Sequence, residues 1–329
     1  MNSPLHDGFG RKINYLRLSV TDRCDFRCTY CMSEKMHFLT RDEILSLEEC
    51  MFVAQAFVGM GVDKIRLTGG EPLVRKDLPS LVARISRLDG LRELVMTSNG
   101  SQLAHFSEPL AQAGLNRINI SLDSLDPLVF QHITRGADLH QVLAGIDAAI
   151  AAFGSASIKL NTVMLQGVNH EELSLLLDFA LSRTVDISFI EQMPLGEMGY
   201  RHASSFYASA DALAQLIQSH ELIPSMETSG GPARYWRIPG HKTRVGFISP
   251  HTQNFCNDCN RVRVTARGEL FSCLGHDYMV DLMPTVRSGD QTGLRALILQ
   301  AIAAKPLAHR FDLSSPKNEI VRFMSRTGG

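Results

Sequence analysis

Cys24-Asp25-Phe26-Arg27-Cys28-Thr29-Tyr30-Cys31 sets three thiols in one short loop, spaced C-x3-C-x2-C. The loop follows an apolar, β-branched run at 13–20 and precedes a helical pattern at 41–59. Loops at the C-terminal edge of a parallel sheet are where barrel and open α/β folds hold their chemistry. No fourth cysteine lies nearby, and a structural zinc site is normally closed by four protein ligands. A metal centre held by three thiolates keeps an open position for a ligand. Further runs of the same kind recur at 62–68, 91–97, 117–122, 158–165 and 186–190. Each run is followed by helical spacing, the later ones at 78–88, 102–113, 141–153, 171–182 and 210–219, with Asn169 as a candidate cap. Six β/α units point to a parallel sheet. Six is fewer than a closed (β/α)8 barrel needs, which leaves an open partial barrel or a doubly wound sheet.

The pattern changes after the sixth unit. Residues 225–234 are rich in Ser, Gly and Pro and read as a linker or crossing loop. Short strand-like pieces follow at 235–238, 244–248, 261–265 and 269–272, then a helix near 293–304. This predicts a larger first domain, 1–224, and a smaller α+β module, 225–329, whose strands are antiparallel or irregular. The module carries a second triad, Cys256, Cys259 and Cys273, spaced C-x2-C-x13-C. His276 lies three residues further on, so a zinc site of three cysteines and one histidine is an alternative on spacing. The seventh cysteine, Cys50, sits on the apolar face of the first helix and reads as a small buried hydrophobe.

Composition narrows the function. The 329 residues carry 33 Lys plus Arg against 34 Asp plus Glu, so a surface built wholly for nucleic acid is excluded. Aromatic residues are only 7%, which argues against an RNA module with interleaved aromatic and basic side chains. The chain shows no internal repeats or low-complexity tracts. The start is polar, and no apolar stretch approaches the ~20 residues that span a bilayer. The expected location is the cytoplasm, where clustered thiols suggest metal or catalysis rather than disulfides.

The first triad with Tyr30, and Thr68-Gly69-Gly70-Glu71-Pro72 after the second strand, resemble the signature segments of the radical S-adenosylmethionine (radical SAM) superfamily. The resemblance implies an α/β fold, a partial (β/α)6 barrel, with Cys24, Cys28 and Cys31 holding a [4Fe-4S] cluster. It also implies that Tyr30, Gly70, Glu71, Ser121 and Met193 bind S-adenosylmethionine. Phe255-Cys256-Asn257-Asp258-Cys259-Asn260-Arg261-Val262-Arg263-Val264-Thr265, continued by Phe271-Ser272-Cys273-Leu274, resembles the auxiliary-cluster segment of one branch, the GTP 3',8-cyclase family of molybdenum cofactor biosynthesis. Tyr15-Leu16-Arg17-Leu18-Ser19, Lys64-Ile65-Arg66-Leu67-Thr68, Thr97-Ser98-Asn99-Gly100 and Lys159-Leu160-Asn161-Thr162-Val163 are similar to that family too, as is the final Gly328-Gly329. The stretch 32–39 is shorter than is usual there.

This second resemblance implies a second [4Fe-4S] cluster on Cys256, Cys259 and Cys273, with an open iron for guanine. GTP would be held by Arg17, Arg66, Thr97, Lys159, Arg261, Val262 and Arg263, with Arg261 and Arg263 also catalytic. Arg267 is a further basic candidate. Guanidinium forks suit phosphate oxygens, and charges placed inside strands need a partner if buried. The implied reaction cleaves S-adenosylmethionine to a 5'-deoxyadenosyl radical that takes hydrogen from C3' of GTP, after which C3' joins C8. An electron donor of unknown identity, a downstream cyclic pyranopterin monophosphate synthase and a homodimer are implied partners; DNA, RNA and a membrane are not. Two alternatives remain: another radical SAM enzyme with an auxiliary cluster acting on a peptide or sugar, and a zinc-stabilised binding module.

Overall fold

The computed structural model describes residues 5–195, 205–311 and 322–328. Six strands fall on the six sequence runs and pair in parallel, each with the next: β1 (Tyr15–Ser19), β2 (Lys64–Thr68), β3 (Glu93–Ser98), β4 (Arg117–Ser121), β5 (Ile158–Met164) and β6 (Asp186–Glu191). Their alternation assigns the two faces, because successive side chains on a strand point oppositely. One face carries Leu16, Leu18, Ile65, Leu67, Leu94, Met96, Ile118, Ile120 and Leu160, all buried in one core. Each such side chain contributes about 1.5–3 kcal/mol on burial. The other face carries Arg17, Arg66, Thr97, Asn119, Lys159 and Asn161 around a cavity. A closed barrel fills that interior with branched apolar side chains; here it is polar.

The apolar face is covered by α1 (Leu47–Val58), α2 (Leu78–Ile85), α3 (Leu103–Gln112), α4 (Pro127–Thr134), α5 (Leu139–Phe153), α6 (Leu173–Arg183) and α7 (Ser209–Leu216). Helix α1 starts later than its pattern predicts, because Ser46 and Glu49 form a capping box there. Cys50 is buried in α1, as expected, and burial pushes its thiol up to about 12. Helix α4 escapes the apolar periodicity but carries a start signal, with Pro127 in its first turn and Asp126 accepting from the amides of Leu128 and Val129. Asn169 is not a side-chain cap; it accepts from Leu165 N and donates to the carbonyls of Asp123 and Val163, tying loops together.

The C-terminal part supplies β7 (Ile223–Ser225), β8 (Arg234–Arg237), β9 (Arg244–Ile248), β10 (Arg261–Val264), β11 (Glu269–Phe271) and β12 (Met279–Asp281). Two of these are parallel rather than antiparallel or irregular: β9 pairs with β6, and β10 pairs with β1. The parallel arc therefore reads β10-β1-β2-β3-β4-β5-β6-β9, with antiparallel strands beyond each end. The sequence of β10 explains its place. Val262 and Val264 extend the apolar core, while Arg261 and Arg263 extend the polar interior. Helices α8 (Met283–Arg287) and α9 (Gln291–Ala303) follow, and α10 (Met324–Thr327) near the end of the chain. Among the described residues, no helix is long and apolar enough to cross a membrane.

Candidate active site

Two cavities adjoin inside the arc. Cys24, Cys28 and Cys31 line one, together with Tyr30, Gly70, Ser121 and Met193. Cys256, Cys259 and Cys273 line the other, together with Arg17, Arg66, Lys159, Arg261 and Arg263. Thr97, Asn161, Ile190, Met193 and Met324 line both, so the cavities meet at a seam. Among the described residues, none of the six is in a disulfide.

The first cavity is built by loops that leave the C-terminal ends of the strands. Gly70 N donates to Thr21 O at 3.0 Å and Glu71 N to Arg23 O at 2.8 Å, so the loop after β2 lies on the loop leading to Cys24. Only glycine fits there: a Cβ on Gly70 would stand 2.3 Å from Arg23 O, and one on Gly69 2.4 Å from Thr21 O. Glu71 does not line the cavity. Its carboxylate accepts from Leu73 N at 3.0 Å, Ser98 Oγ at 3.0 Å and Asn99 N at 2.6 Å, joining the loops after β2 and β3. Burial pushes it up to about 7, against the pull of those amides. Tyr30 lies on the wall, its hydroxyl donating to Asp123 at 2.6 Å; burial raises that acid to about 6. The short stretch 32–39 is pinned by Leu39 N donating to Asp22 and by Arg27 stacked over Phe38.

These residues fit an iron-sulfur cluster and S-adenosylmethionine. Burial holds the Cys24 and Cys28 thiols well above their usual range, so their sulfurs become ligands only when a cationic centre binds. The close-packed glycine backbone leaves open wall beside them. Among the described residues, no three His, Cys, Asp or Glu side chains converge on one metal ion. A cubane cluster takes each thiolate at a different iron, so its ligands stand wider apart. His276, the fourth ligand of the zinc alternative, pairs its Nε2 with Ala308 O at 3.1 Å and is not on the cavity wall.

The second cavity concentrates cations. Arg66 donates from Nε to the Tyr15 hydroxyl at 2.5 Å and from Nη1 to Thr97 Oγ1 at 3.1 Å. Lys159 Nζ donates to the Tyr235 hydroxyl at 2.9 Å. Burial and neighbouring guanidinium groups push Arg17 down, and Arg263 down to about 10. A polyanion beside them would offset both shifts by favouring the charged form. Val262 turns its side chain into the core, so contact with a substrate there is limited to backbone. Arg267 is exposed and off the cavity wall. Beside the thiols, Lys305 is buried and donates to Cys259 Sγ at 3.5 Å and Arg261 O at 3.0 Å. Burial raises Cys259, but Lys305 and Arg261 outweigh it and bring the thiol below its usual value. Arg263 donates to Gly328 O, bringing the end of the chain to the site; Gly329 lies outside the described residues.

Sequence reasoning left out Tyr15, Lys64, Arg117, Asn119 and Asn161, all on the wall of the second cavity. The signal was present: Tyr15, Lys64 and Asn161 sit two residues from Arg17, Arg66 and Lys159 along β1, β2 and β5, and Arg117 and Asn119 sit at even spacings from Ser121 along β4. Lys305 and Met324 carry no such local signal.

Residues 18–180 match the Radical SAM superfamily and residues 185–311 match Molybdenum Cofactor Synthesis C. Among solved structures, Streptococcus suis SuiB bound to S-adenosylmethionine is similar in fold, with TM-score 0.61 and 14% identity over 87% of this chain and 68% of that one. Fold, glycine-backed thiol triad and sequence thus define a radical SAM enzyme. A GTP 3',8-cyclase of Ectopseudomonas mendocina is 55% identical over 99% of this chain and 98% of its own. GTP 3',8-cyclase 1 of Pseudomonas aeruginosa is 53% identical over 98% of each. The chain belongs to the GTP 3',8-cyclase family.

Proposed function

We propose that this protein converts GTP to (8S)-3',8-cyclo-7,8-dihydroguanosine 5'-triphosphate, the first step of molybdenum cofactor biosynthesis. The observation that carries this reading is the shared seam between a thiol-lined cavity and a second thiol-lined cavity rich in cations. When bound at Cys24, Cys28 and Cys31, a [4Fe-4S] cluster supplies the electron that cleaves S-adenosylmethionine to methionine and a 5'-deoxyadenosyl radical. The chain's own residues do the placing. Tyr30, Gly70, Ser121 and Met193 would hold S-adenosylmethionine in the first cavity, beside the seam. Arg17, Arg66, Lys159, Arg261 and Arg263 hold the triphosphate by charge-assisted hydrogen bonds, and Thr97 adds a hydroxyl at the seam. The reaction would then need the C3' hydrogen of GTP to reach the 5' carbon across the seam, and C3' to reach C8 of the same guanine. Such placement can lower a barrier by about 7–11 kcal/mol. Cys256, Cys259 and Cys273 would hold a second [4Fe-4S] cluster near the guanine, and Arg261 and Arg263 assist the closing reduction. Glu71 serves through its backbone and by fixing the loops.

The same reading gives residues 1–224 to the partial barrel and 225–329 to the second-cluster module. It makes the chain a cytoplasmic homodimer, fed by an electron donor and followed by cyclic pyranopterin monophosphate synthase. The test is anaerobic reconstitution, metal analysis and incubation with GTP, S-adenosylmethionine and dithionite. About eight irons per chain, two cubane clusters, with 5'-deoxyadenosine and a cyclised nucleotide, is the expected result. Cys24→Ala is expected to abolish 5'-deoxyadenosine while GTP still binds. Four irons plus one zinc, or no cyclised product, would overturn the reading of the second cavity.

A further inference from the structure

Asn161 occupies a position that none of the roles above explains. It lies on β5, in register with Ser121 of β4 and Ser188 of β6, on the polar interior face. Among the described residues it is one of two polar side chains at the seam; the other, Thr97, already accepts from Arg66. The Asn161 Oδ1 is buried and meets no hydrogen-bond donor among the described residues. Buried acceptors are satisfied in the great majority of cases, and an orphaned one marks a missing partner. That partner must be a donor. Phosphate and carboxylate oxygens do not qualify, which removes the triphosphate and the methionyl carboxylate.

We propose that Asn161 is a positioning and specificity residue for the ribose of the nucleotide substrate, its Oδ1 accepting from a ribose hydroxyl. The inference rests on the GTP reading above. The seam is where the 5' carbon of one ligand meets C3' of the other, and C3' carries a hydroxyl with a second one adjacent. An acceptor fixed on a rigid strand there orients the ring about the carbon that loses hydrogen. It also separates ribonucleotides from their deoxy counterparts, because a deoxy substrate leaves Oδ1 buried and unpaired. The second ligand also bears ribose hydroxyls, and the response of its affinity to substitution at Asn161 separates the two.

The test is anaerobic binding of GTP, 2'-deoxy-GTP and 3'-deoxy-GTP to the reconstituted holoenzyme without S-adenosylmethionine, for the unsubstituted protein, Asn161→Ala and Asn161→Asp. The unsubstituted protein is expected to favour GTP over one deoxy analogue by about tenfold, the loss of one buried hydrogen bond. Asn161→Ala is expected to weaken GTP to the level of that analogue and leave the analogue unchanged. Asn161→Asp, which keeps an acceptor oxygen, is expected to retain the preference. In turnover, Asn161→Ala is expected to form 5'-deoxyadenosine in excess of cyclised nucleotide. Equal weakening of all three nucleotides, or a change only in S-adenosylmethionine affinity, overturns the proposal. Failure of the unsubstituted protein to cyclise GTP would instead overturn the function on which it rests.

Discussion

The Tyr15 hydroxyl accepts from Arg66 Nε at 2.5 Å, while Lys64 Nζ stands 5.2 Å from the centre of its ring. Burial opposes ionisation of this phenol, but Arg66, Arg17 and Lys64 together outweigh burial and bring it down to about 7. An unfolded tyrosine titrates near ~10. The folded value is lower, so this ionisation stabilises the fold in full above about pH 10 and its contribution is lost as pH falls through about 7. Nucleotide binding runs the other way. A triphosphate brings negative charge to the same arginines and favours the neutral phenol. GTP affinity is therefore expected to fall as pH rises above 7, by at most about tenfold per unit, with proton uptake on binding. Titration calorimetry in two buffers of different ionisation heat measures that uptake. In Tyr15→Phe the uptake between pH 7 and 9 is expected to vanish; an unchanged value would assign it to another group.

At the scale of elements, the stacking of the loop after β2 on the loop before Cys24 is fixed by backbone, not by side chains. A methyl group at position 70 meets Arg23 O at 2.3 Å and Asp22 O at 2.9 Å, and neither is the end of a flexible chain. Gly70→Ala is expected to destabilise the fold by about 1–3 kcal/mol and to abolish cleavage of S-adenosylmethionine. GTP binding in the second cavity should survive, since none of its lining residues belongs to that loop. Cleavage at the normal rate would mean that the loops can part without cost. The six strands were legible because each carries its own alternation, and the thiol triads because their spacing is local. The parallel placement of β9 and β10 was not, since long-range pairing decides it: Ile187 meets Val245 across 58 residues and Tyr15 meets Arg261 across 246. Even so, Arg261-Val262-Arg263-Val264 repeats the charged-apolar alternation of Leu16-Arg17-Leu18. Glu71 shows the opposite limit: its residue type suggests a ligand contact, but only the fold shows its carboxylate turned to Leu73, Ser98 and Asn99.

At the scale of the whole molecule, the end of the chain links the two halves of the site. Arg322 donates to the carbonyls of Leu274 and His276 at 3.0 and 2.6 Å, and its guanidinium lies 4.0 Å from the centre of the Phe271 ring. The segment is thus anchored beside Cys273. Six residues later Gly328, at φ 76°, packs so closely on Thr68 that a Cβ would stand 2.1 Å from its Oγ1. Thr68 opens the glycine loop of the first cavity, and the Gly328 carbonyl accepts from Arg263 of the second. Neither cavity takes a cysteine from this segment. Deleting Gly328 and Gly329 is therefore expected to leave both clusters and the cleavage of S-adenosylmethionine intact. Arg263, however, loses the Gly328 carbonyl that fixes its guanidinium. The expected outcome is 5'-deoxyadenosine without cyclised nucleotide, read by chromatography of both products from one anaerobic reaction. Gly328→Ala, strained by its positive φ and by Thr68, is expected to fall between the truncated and the full chain. Full cyclisation by the truncated protein would show that Arg263 holds its place without the tail, and that the ending is only a terminus resting on the site.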